Sequence, residues 1–517
     1  MGQAASLITR RGLIAAAAAL AAGCDAPLPV QGGFAGASVE RGHLLRQARA
    51  WPAPAVTHRC EVLVAGAGIA GLAAARALRL RGREDFAMLE LEDAPGGNSR
   101  AGSVGGIACP LGAHYLPVPG DGAPEVQALL EELGLRRRVA GRWEIDERHL
   151  CHAPQERLFY QGAWQDGLLP LAGVGATTLA QYVRFAQEVD AARRSGAFRI
   201  PQRQHRALLA FDGESFAQWL AARSFTDPQL LWYLDYCCRD DFGAGIATVS
   251  AWAGLHYFAA RHGFHPPGFD EGGERDALLT WPEGNGFLAR ALAAPLADRF
   301  HGGRVVLRVA EGRHVVEVDA WDVAAQRVER WQAQRCIVAL PAFVAARVVE
   351  GSPDALRRLA SGTRHAPWVV VNLHLREPPW TRDGTALAWD NVVYGSDSLG
   401  YVVATHQSLN PAPGPTVLTW YCAPGEAMRG AVLQEPWTAW RDRVLADLAR
   451  PHPELPRLVT RAEVTRYGHA MPIPVPGTLA RLPAPPANGR LRFAHSDWAG
   501  YSVFEEAFTL GHRAGGA

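Results

Sequence analysis

The stretch Cys60-Glu61-Val62-Leu63-Val64-Ala65-Gly66-Ala67-Gly68-Ile69-Ala70-Gly71-Leu72 decides the fold. Its apolar first half predicts a buried parallel strand, and its glycines predict a tight turn into a helix. Gly66 permits the turn, Gly68 lets the backbone approach a pyrophosphate, and Gly71 lets the helix pack against the strand. The pattern predicts a dinucleotide-binding βαβ unit. A glycine turn in an α/β sheet without a ligand is the alternative.

A second apolar run supports the dinucleotide site. Phe86–Leu89 ends at Glu90, nineteen residues after Gly71. Dinucleotide folds place an acid near this spacing, where it accepts hydrogen bonds from ribose hydroxyls. Glu90 is therefore the predicted ribose ligand.

The residues after Glu90 resemble the second FAD motif of the flavin amine oxidase superfamily. That superfamily contains monoamine and polyamine oxidases, L-amino acid oxidases and, more distantly, phytoene desaturases. The resemblance rests on the pair Gly96-Gly97, six residues past the acid. Relatives carry Arg directly after the glycines, whereas this chain has Asn98 there and Arg100 two residues later.

Three further stretches extend the resemblance. Leu111–Tyr115 is similar to the Gly-Ala-His-Trp element beside the isoalloxazine ring. Leu491–Asp497 is similar to the Phe-Ala-Gly-(Glu/Asp) motif, which implies that Asp497 contacts the ribityl or pyrophosphate region. Gly500–Ala507 resembles the start of the last helix, whose amides face the flavin O2 edge and stabilise negative charge there.

The motifs and the resemblance together predict one FAD site, in which the Val309 backbone contacts adenine. The predicted cofactor residues are Gly66, Gly68, Ala70, Gly71, Glu90, Gly96, Gly97, Asn98, Arg100, Gly112, Ala113, Val309, Asp497, Ser502, Val503 and Phe504. No Cys follows Cys422, so we expect non-covalent FAD.

The implied fold class is α/β, with a Rossmann-like FAD-binding domain and an interleaved α+β substrate domain. The predicted boundaries are 1–24 for a signal peptide, 25–57 for a linker, 58–165, 280–345 and 485–517 for the FAD-binding domain, and 166–279 and 346–484 for the substrate domain. The 517 residues, 48% of them hydrophobic, suffice for two cores. A net charge of +1 argues against a nucleic-acid partner. No Cys or His spacing predicts a metal site.

The N-terminal residues predict export. Arg10-Arg11 begins a twin-arginine pattern, and the apolar run Leu13–Ala22 is too short to span a bilayer. Leu20–Cys24 resembles a lipobox, so Cys24 is the predicted lipidation site. We expect the Tat translocase as a partner, and a periplasmic protein or a membrane-anchored lipoprotein. An Ala-rich N-terminal helix, or cleavage without lipidation, is the alternative.

The substrate side is less defined. Asp240 and Asp241 are candidates to attract a cationic substrate, and their alternative role is a local ion-pair and capping cluster with Arg239. Trp389–Asn391 is a candidate cavity wall or an ordinary turn.

The chain contains no lysine, the residue that holds a water at flavin N5 in many amine oxidases. Arginine cannot replace it as a base because arginine stays protonated. His114, which the resemblance places near the flavin, is the candidate acid, base or water anchor. Its alternative role is that of a structural histidine in the cofactor shell.

Three functional hypotheses follow. The first is an exported oxidoreductase that oxidises an amine, with a polyamine as one candidate, and passes the electrons to oxygen or another acceptor. The second is a desaturase or isomerase of an apolar substrate, and the third is a flavoprotein whose flavin is structural or serves a partner. An acidic cavity mouth would favour the first, an apolar tunnel the second, and a flavin face without an open cavity the third.

Overall fold

The computed structural model describes residues 29–47, 50–203, 205–267, 277–380, 382, 384–409 and 414–517. Arg10, Arg11 and Cys24 of the predicted export signal lie outside the described residues. None of the helices in the described ranges has both the length and the apolar character needed to cross a membrane.

The described chain contains 21 strands and 15 α-helices. The strands are β1 (Gln31–Phe34), β2 (Val56–Ala65), β3 (Phe86–Leu89), β4 (Ala101–Val104), β5 (Ile107–Pro110), β6 (Tyr115–Pro117), β7 (Arg136–Val139), β8 (Arg142–Ile145), β9 (Glu156–Tyr160), β10 (Ala163–Asp166), β11 (Leu278–Thr280), β12 (Phe300–His301), β13 (Arg304–Glu311), β14 (Val316–Asp322), β15 (Arg327–Val338), β16 (Arg364–Leu375), β17 (Asp390–Val393), β18 (Tyr401–Val403), β19 (Thr416–Cys422), β20 (Val459–Ile473) and β21 (Leu491–Phe493). The helices are α1 (Val39–His43), α2 (Ile69–Leu80), α3 (Pro124–Glu132), α4 (Ala176–Arg194), α5 (Phe216–Ala222), α6 (Pro228–Phe242), α7 (Ala251–Tyr257), α8 (Gly286–Ala293), α9 (Ala342–Val348), α10 (Asp354–Gly362), α11 (Arg429–Gln434), α12 (Trp437–Asp447), α13 (Leu455–Leu458), α14 (Thr478–Arg481) and α15 (Phe504–Gly516).

One sheet gathers strands from both ends of the chain. Its order is β12-β3-β2-β15-β14-β13, and β21 pairs in parallel with the end of β15. The central strands β3, β2 and β15 are parallel, as the apolar run before the glycine turn predicts. Helices α2 and α15 cover one face and α9 and α10 the other, so the sheet is buried on both sides.

The second sheet has the order β1-β20-β16-β19-β18-β17-β9-β10 and is mostly antiparallel. The strands that form this sheet change two of the predicted domain boundaries. Gln31–Phe34, expected to belong to a linker, forms β1 and pairs in parallel with β20. Glu156–Asp166, expected within the FAD-binding domain, supplies β9 and β10 to this second sheet.

Helices α4 to α7 pack on one face of the second sheet through an aromatic core. Phe185, Phe216, Trp219 and Trp252 are almost completely buried there. Each such side chain contributes roughly 1.5–3 kcal/mol by leaving water. This helical layer therefore holds the end of α6 firmly against the sheet.

Glycines set the distance between the first strand, its helix and the last helix. Gly66 has a φ of +101°, which lets the chain turn sharply after β2. A Cβ atom on Gly71 would collide with the Gly66 carbonyl, and a Cβ on Gly511 of α15 would collide with the Ala70 carbonyl. These contacts bring the N-termini of α2 and α15 to the same side of the first sheet.

Candidate active site

A large cavity of about 460 Å³ lies between the two sheets, and the residues predicted to bind the cofactor converge on it. The predicted residues that line it are Gly66, Gly68, Ala70, Glu90, Gly96, Gly97, Asn98, Arg100, Gly112, Ala113, Asp497, Ser502, Val503 and Phe504. They come from both ends of the chain, and β2, β3, β21 and the starts of α2 and α15 position them.

Two predicted cofactor residues lie elsewhere. Gly71 is buried behind the turn, where it permits close helix packing. Val309 does not line the large cavity, because its backbone pairs with Val318 and its carbonyl accepts the Glu350 amide at 2.8 Å. Val305 and Val306 line the cavity instead.

Glu90 sits at the end of β3 with its carboxylate already oriented. Its two oxygens accept the Ala67 amide at 2.7 Å and the Glu92 amide at 3.1 Å. Burial raises the pKa of Glu90, and these two amides oppose that rise. A carboxylate held by backbone amides keeps further lone pairs for hydroxyl donors in the cavity.

The space around Gly68 indicates whether the large cavity fits a bound group. A Cβ on Gly68 would meet nothing closer than the Gly97 Cα at 3.9 Å among the described residues. The protein therefore gives no packing reason for glycine at this position, whereas a pyrophosphate close to the α2 N-terminus does. The residues present fit a dinucleotide such as FAD.

Asp497 lies fully buried beside the cavity and is surrounded by donors. Its Oδ2 accepts the Ala342 amide at 2.7 Å, and the His495 and His365 rings lie 3.2 and 3.4 Å from its carboxylate. Burial alone would raise the pKa of Asp497, but His495 and His365 outweigh it and leave that pKa below its usual range. Asp497 therefore presents a fixed negative charge.

His114 lies where the large cavity meets a small cavity of about 200 Å³. Its ring stacks on Tyr421, with centroids 4.4 Å apart, and contacts the rings of Tyr115 and Trp389 at 5.1 and 5.4 Å. Burial lowers the pKa of His114 to about 3, and a hydrogen bond with the Gly112 backbone offsets this only in part. The imidazole is therefore neutral near pH 7.

The small cavity is acidic and aromatic. Four carboxylic acids line it, which are Glu156, Asp166, Asp240 and Asp390. Seven aromatic residues other than histidine line it as well, which are Tyr115, Tyr233, Tyr236, Tyr257, Phe264, Trp389 and Tyr421. No arginine stands among the described residues that line it. Burial raises the pKa of Asp390 well above its usual value, and the Asp240 and Glu156 charges add to the rise. An ammonium ion would relieve this crowding of carboxylates.

Asp240 and Asp241 end helix α6, whose C-terminal carbonyls disfavour negative charge. Asp240 lines both cavities, and burial together with the Asp241 charge raises its pKa to about 7. Burial raises the pKa of Asp241 to about 6, against the opposing effect of Arg261 at 3.6 Å. Arg239 forms its ion pair with Asp235 at 3.0 Å, and its charge opposes the rise in the pKa of Asp240.

Sequence reasoning missed several cavity residues, because distant segments supply them. Tyr421, Arg261 and His365 belong to no recognisable motif and reach the large cavity only through the fold. Trp389 and Asp390, named as a candidate wall, do line the small cavity. In the described ranges, no group of three or more His, Cys, Asp and Glu side chains has a metal-binding arrangement.

Comparison with known proteins gives a family match over most of the chain. The family model described as flavin containing amine oxidoreductase matches residues 69–516. A Mycobacterium tuberculosis protein, designated flavin-containing monoamine oxidase AofH, is 30% identical over 261 residues, which cover 49% of this chain and 51% of that protein. The chain spans about half or less of the length of the curated relatives it matches.

Two solved structures share the fold. Putrescine oxidase bound to putrescine superposes with a TM-score of 0.65 at 18% identity, covering 89% of this chain and 98% of that chain. Cyclohexylamine oxidase from Brevibacterium oxydans superposes with a TM-score of 0.64 at 17% identity, covering 88% and 98%. At these identities the likeness establishes the fold alone.

Proposed function

Because the chain belongs to the flavin-containing amine oxidoreductase family, we propose that it oxidises the carbon–nitrogen bond of an amine, with FAD as hydride acceptor. The observation that carries this proposal is the acidic, aromatic small cavity, which meets the large cavity at His114 and Asp240. Carboxylates attract an ammonium ion, and aromatic faces stabilise it further.

The residues around the large cavity would hold FAD without a covalent bond. Glu90 would accept ribose hydroxyls, and the N-termini of α2 and α15 would face negatively charged groups of the cofactor. None of the described residues that line this cavity is a cysteine, which supports non-covalent binding. When bound, a flavin supplies the acceptor for two electrons and one proton, delivered as hydride.

The chain's own residues bind and orient the amine. Tyr115, Trp389 and Tyr421 present ring faces around His114, and Asp240 provides the charge that draws an ammonium ion toward the junction. A pKa of about 7 lets the Asp240 carboxylate take a proton from the ammonium near neutral pH, which leaves the free amine that gives up hydride. Neutral His114 accepts a hydrogen bond from the amine or from water.

The substrate class is a small amine, and a diamine or polyamine suits the cavity best. Carboxylates lie both at the junction, through Asp240, and farther from the large cavity, through Asp390 and Glu156. An amino acid suits it less, because Arg261 is already paired with Asp241 and Glu505 and offers no free charge to a substrate carboxylate. An apolar substrate would bring no positive charge to the partly buried Asp240 and Asp390 side chains.

We also propose that the enzyme acts after export. The twin-arginine pattern at Arg10-Arg11 and the lipobox-like Cys24 support translocation by the Tat route and a lipid anchor. The Tat route carries folded proteins, which suits an enzyme that acquires FAD before export. Oxygen or another acceptor would reoxidise the flavin.

Anaerobic mixing of the purified holoprotein with amines tests the activity. Putrescine, spermidine and cyclohexylamine are the test compounds, and 1,4-butanediol is the uncharged control for putrescine. We expect diamines to bleach the flavin absorbance and the diol to leave it unchanged. Protein that is bleached by dithionite but by no amine would overturn the proposal, and so would colourless protein that takes up no FAD.

A further inference from the structure

Arg261 is a buried arginine on the wall of the large cavity, and the proposed oxidation of amines assigns it no role. It lies in a π-helical turn, Phe258–His262, that follows α7. Such turns occur frequently at functional sites, because the extra residue redirects neighbouring side chains. Here the turn directs Arg261 to the large cavity and His262 to the small one.

Two carboxylates from distant elements hold the Arg261 guanidinium. Its Nη2 donates to Glu505 at 3.1 and 3.2 Å, and its Nη1 lies 3.6 Å from Asp241. Glu505 belongs to the first turn of α15, and Asp241 to the last turn of α6. The side chains of all three residues are at most 8% exposed.

This buried cluster is hard to explain as a stabilising device. Removing one positive and two negative groups from water costs free energy that their attraction recovers only with good geometry. The Arg261 Nε atom is buried and has no hydrogen-bond partner among the described residues. Burial lowers the pKa of Arg261, but Glu505 and Asp241 outweigh it, so the guanidinium stays charged.

The position of Arg261 distinguishes it from the other arginines of the large cavity. Among the described lining residues, Arg100 and Arg304 are the others, and both lie toward Glu90. Arg100 lies 3.6 Å from Glu92, and the Arg304 amide donates to the Glu90 carbonyl. Arg261 lies 3.6 Å from Asp241, and the neighbouring Asp240 lines both cavities. Arg261 therefore lies toward the end where the two cavities meet.

We propose that Arg261 is the fixed positive charge that favours reduction of the bound flavin and that Glu505 moderates this effect. Hydride transfer adds two electrons and one proton, so the large cavity gains one negative charge, while the amine substrate becomes a cation. A positive group on the cavity wall stabilises the added charge, and a carboxylate paired with it opposes that stabilisation. This inference rests on flavin binding in the proposed function, but not on the identity of the amine.

The test measures the midpoint potential of the bound flavin by equilibration with reference dyes, without any amine. At a fixed potential, Arg261→Gln should lower the ratio of reduced to oxidised flavin about tenfold, or about 30 mV for a two-electron couple. Glu505→Gln should raise the ratio by a similar factor. Arg261→Lys, which keeps the charge, should stay within about threefold of the wild type.

Arg239→Gln is the matched control, since Arg239 is paired with Asp235 but does not line the large cavity. It should leave the potential unchanged. Shifts of Arg261→Gln and Glu505→Gln in the same direction, or no shift in either with FAD retained, would overturn the inference. If Arg261→Gln does not retain FAD, the other two variants test the inference. A raised midpoint potential in Glu505→Gln together with a near-native potential in Arg261→Lys supports the inference. Any other combination of potentials in these two variants refutes it.

Discussion

The ring of His114 stacks on Tyr421 and stays neutral near pH 7, because burial lowers its pKa to about 3. A neutral imidazole lacks the positive charge of an acid catalyst but can accept one hydrogen bond and donate another. Of the roles that the sequence leaves open to His114, that of water anchor agrees best with this environment. A pKa of about 3 makes the imidazole a weak base and leaves it without the proton of a general acid near pH 7.

Replacing His114 by Ala should slow flavin reduction by an amine roughly 10²-fold, the usual scale for a lost proton-transfer or positioning group. FAD content should stay near normal, because Glu90 and the helix N-termini lie elsewhere around the large cavity. Anaerobic stopped-flow absorbance measures the rate. The control is His149→Ala, because His149 bonds to Trp281 and lines neither cavity. Loss of FAD would indicate a structural role, and a native rate would exclude His114 from the chemistry.

Asp240 should make cation binding depend on pH. Its pKa is raised to about 7, so it is largely ionised at pH 8 and largely neutral at pH 6. The Kd of a quaternary ammonium inhibitor, whose own charge is independent of pH, should therefore rise up to about tenfold as pH falls from about 8 to 6.

Asp240→Asn should bind the inhibitor weakly at both pH values and abolish the pH dependence. The matched control is Asp235→Asn, on the same helix but outside both cavities, which should keep it. Equilibrium titration monitored by flavin absorbance gives both constants. A pH dependence that survives in Asp240→Asn would assign it to another group.

In the turn between β2 and α2, Gly71 is required for helix packing, whereas Gly68 leaves room for the cofactor. Gly68→Ala should leave the unfolding free energy of the FAD-free protein near the wild-type value, because among the described residues its Cβ meets only Gly97, at 3.9 Å. The same Cβ should weaken FAD binding at least tenfold, because it would occupy space next to the pyrophosphate. Gly71→Ala should lower the unfolding free energy by about 1–3 kcal/mol, because its Cβ collides with the Gly66 carbonyl. Urea unfolding and FAD titration measure the two effects. Equal destabilisation by both variants would contradict this division.

The elements that the sequence predicts well are those defined by short spacing. The strand–turn–helix at Gly66 and the acid at Glu90 depend on residues within one βαβ unit, so local pattern is enough. The resemblance places a backbone contact only roughly, at Val309, whereas Val305 and Val306 line the large cavity. A register shift in β13 between Val306 and Arg308 changes the positions of the residues that follow, and the sequence does not reveal it.

At the scale of the whole molecule, the small cavity could not be predicted because its carboxylates come from three separate segments. Glu156 and Asp166 belong to the β9–β10 hairpin, Asp240 lies in the last turn of α6, and Asp390 starts β17. Each is an ordinary acid in its own segment, and only the pairing of β9 with β17 and the packing of α6 on the second sheet bring them together. The role of Arg261 could not be predicted for the same reason, because its partner Glu505 lies 244 residues further along the chain.

Export is a property of the whole chain and has its own test. Replacing both Arg10 and Arg11 by Lys should retain folded, FAD-loaded protein in the cytoplasm, because the Tat receptor recognises the arginine pair. Cell fractionation with immunoblotting measures the distribution, and Cys24→Ala should release exported protein from the membrane fraction. Undiminished export of the double variant would rule out the Tat route.

Strand β1 fastens residue 31 to the outer edge of the second sheet. Gln31 lies seven residues after Cys24, and a fully extended chain covers at most about 3.6 Å per residue. The two residues can therefore be no further apart than about 25 Å. With a lipid on Cys24, the β1 edge of the second sheet would stay within that distance of the bilayer, and the rotation of the enzyme would be restricted. Encounters with a membrane-borne electron acceptor would then become a search in two dimensions.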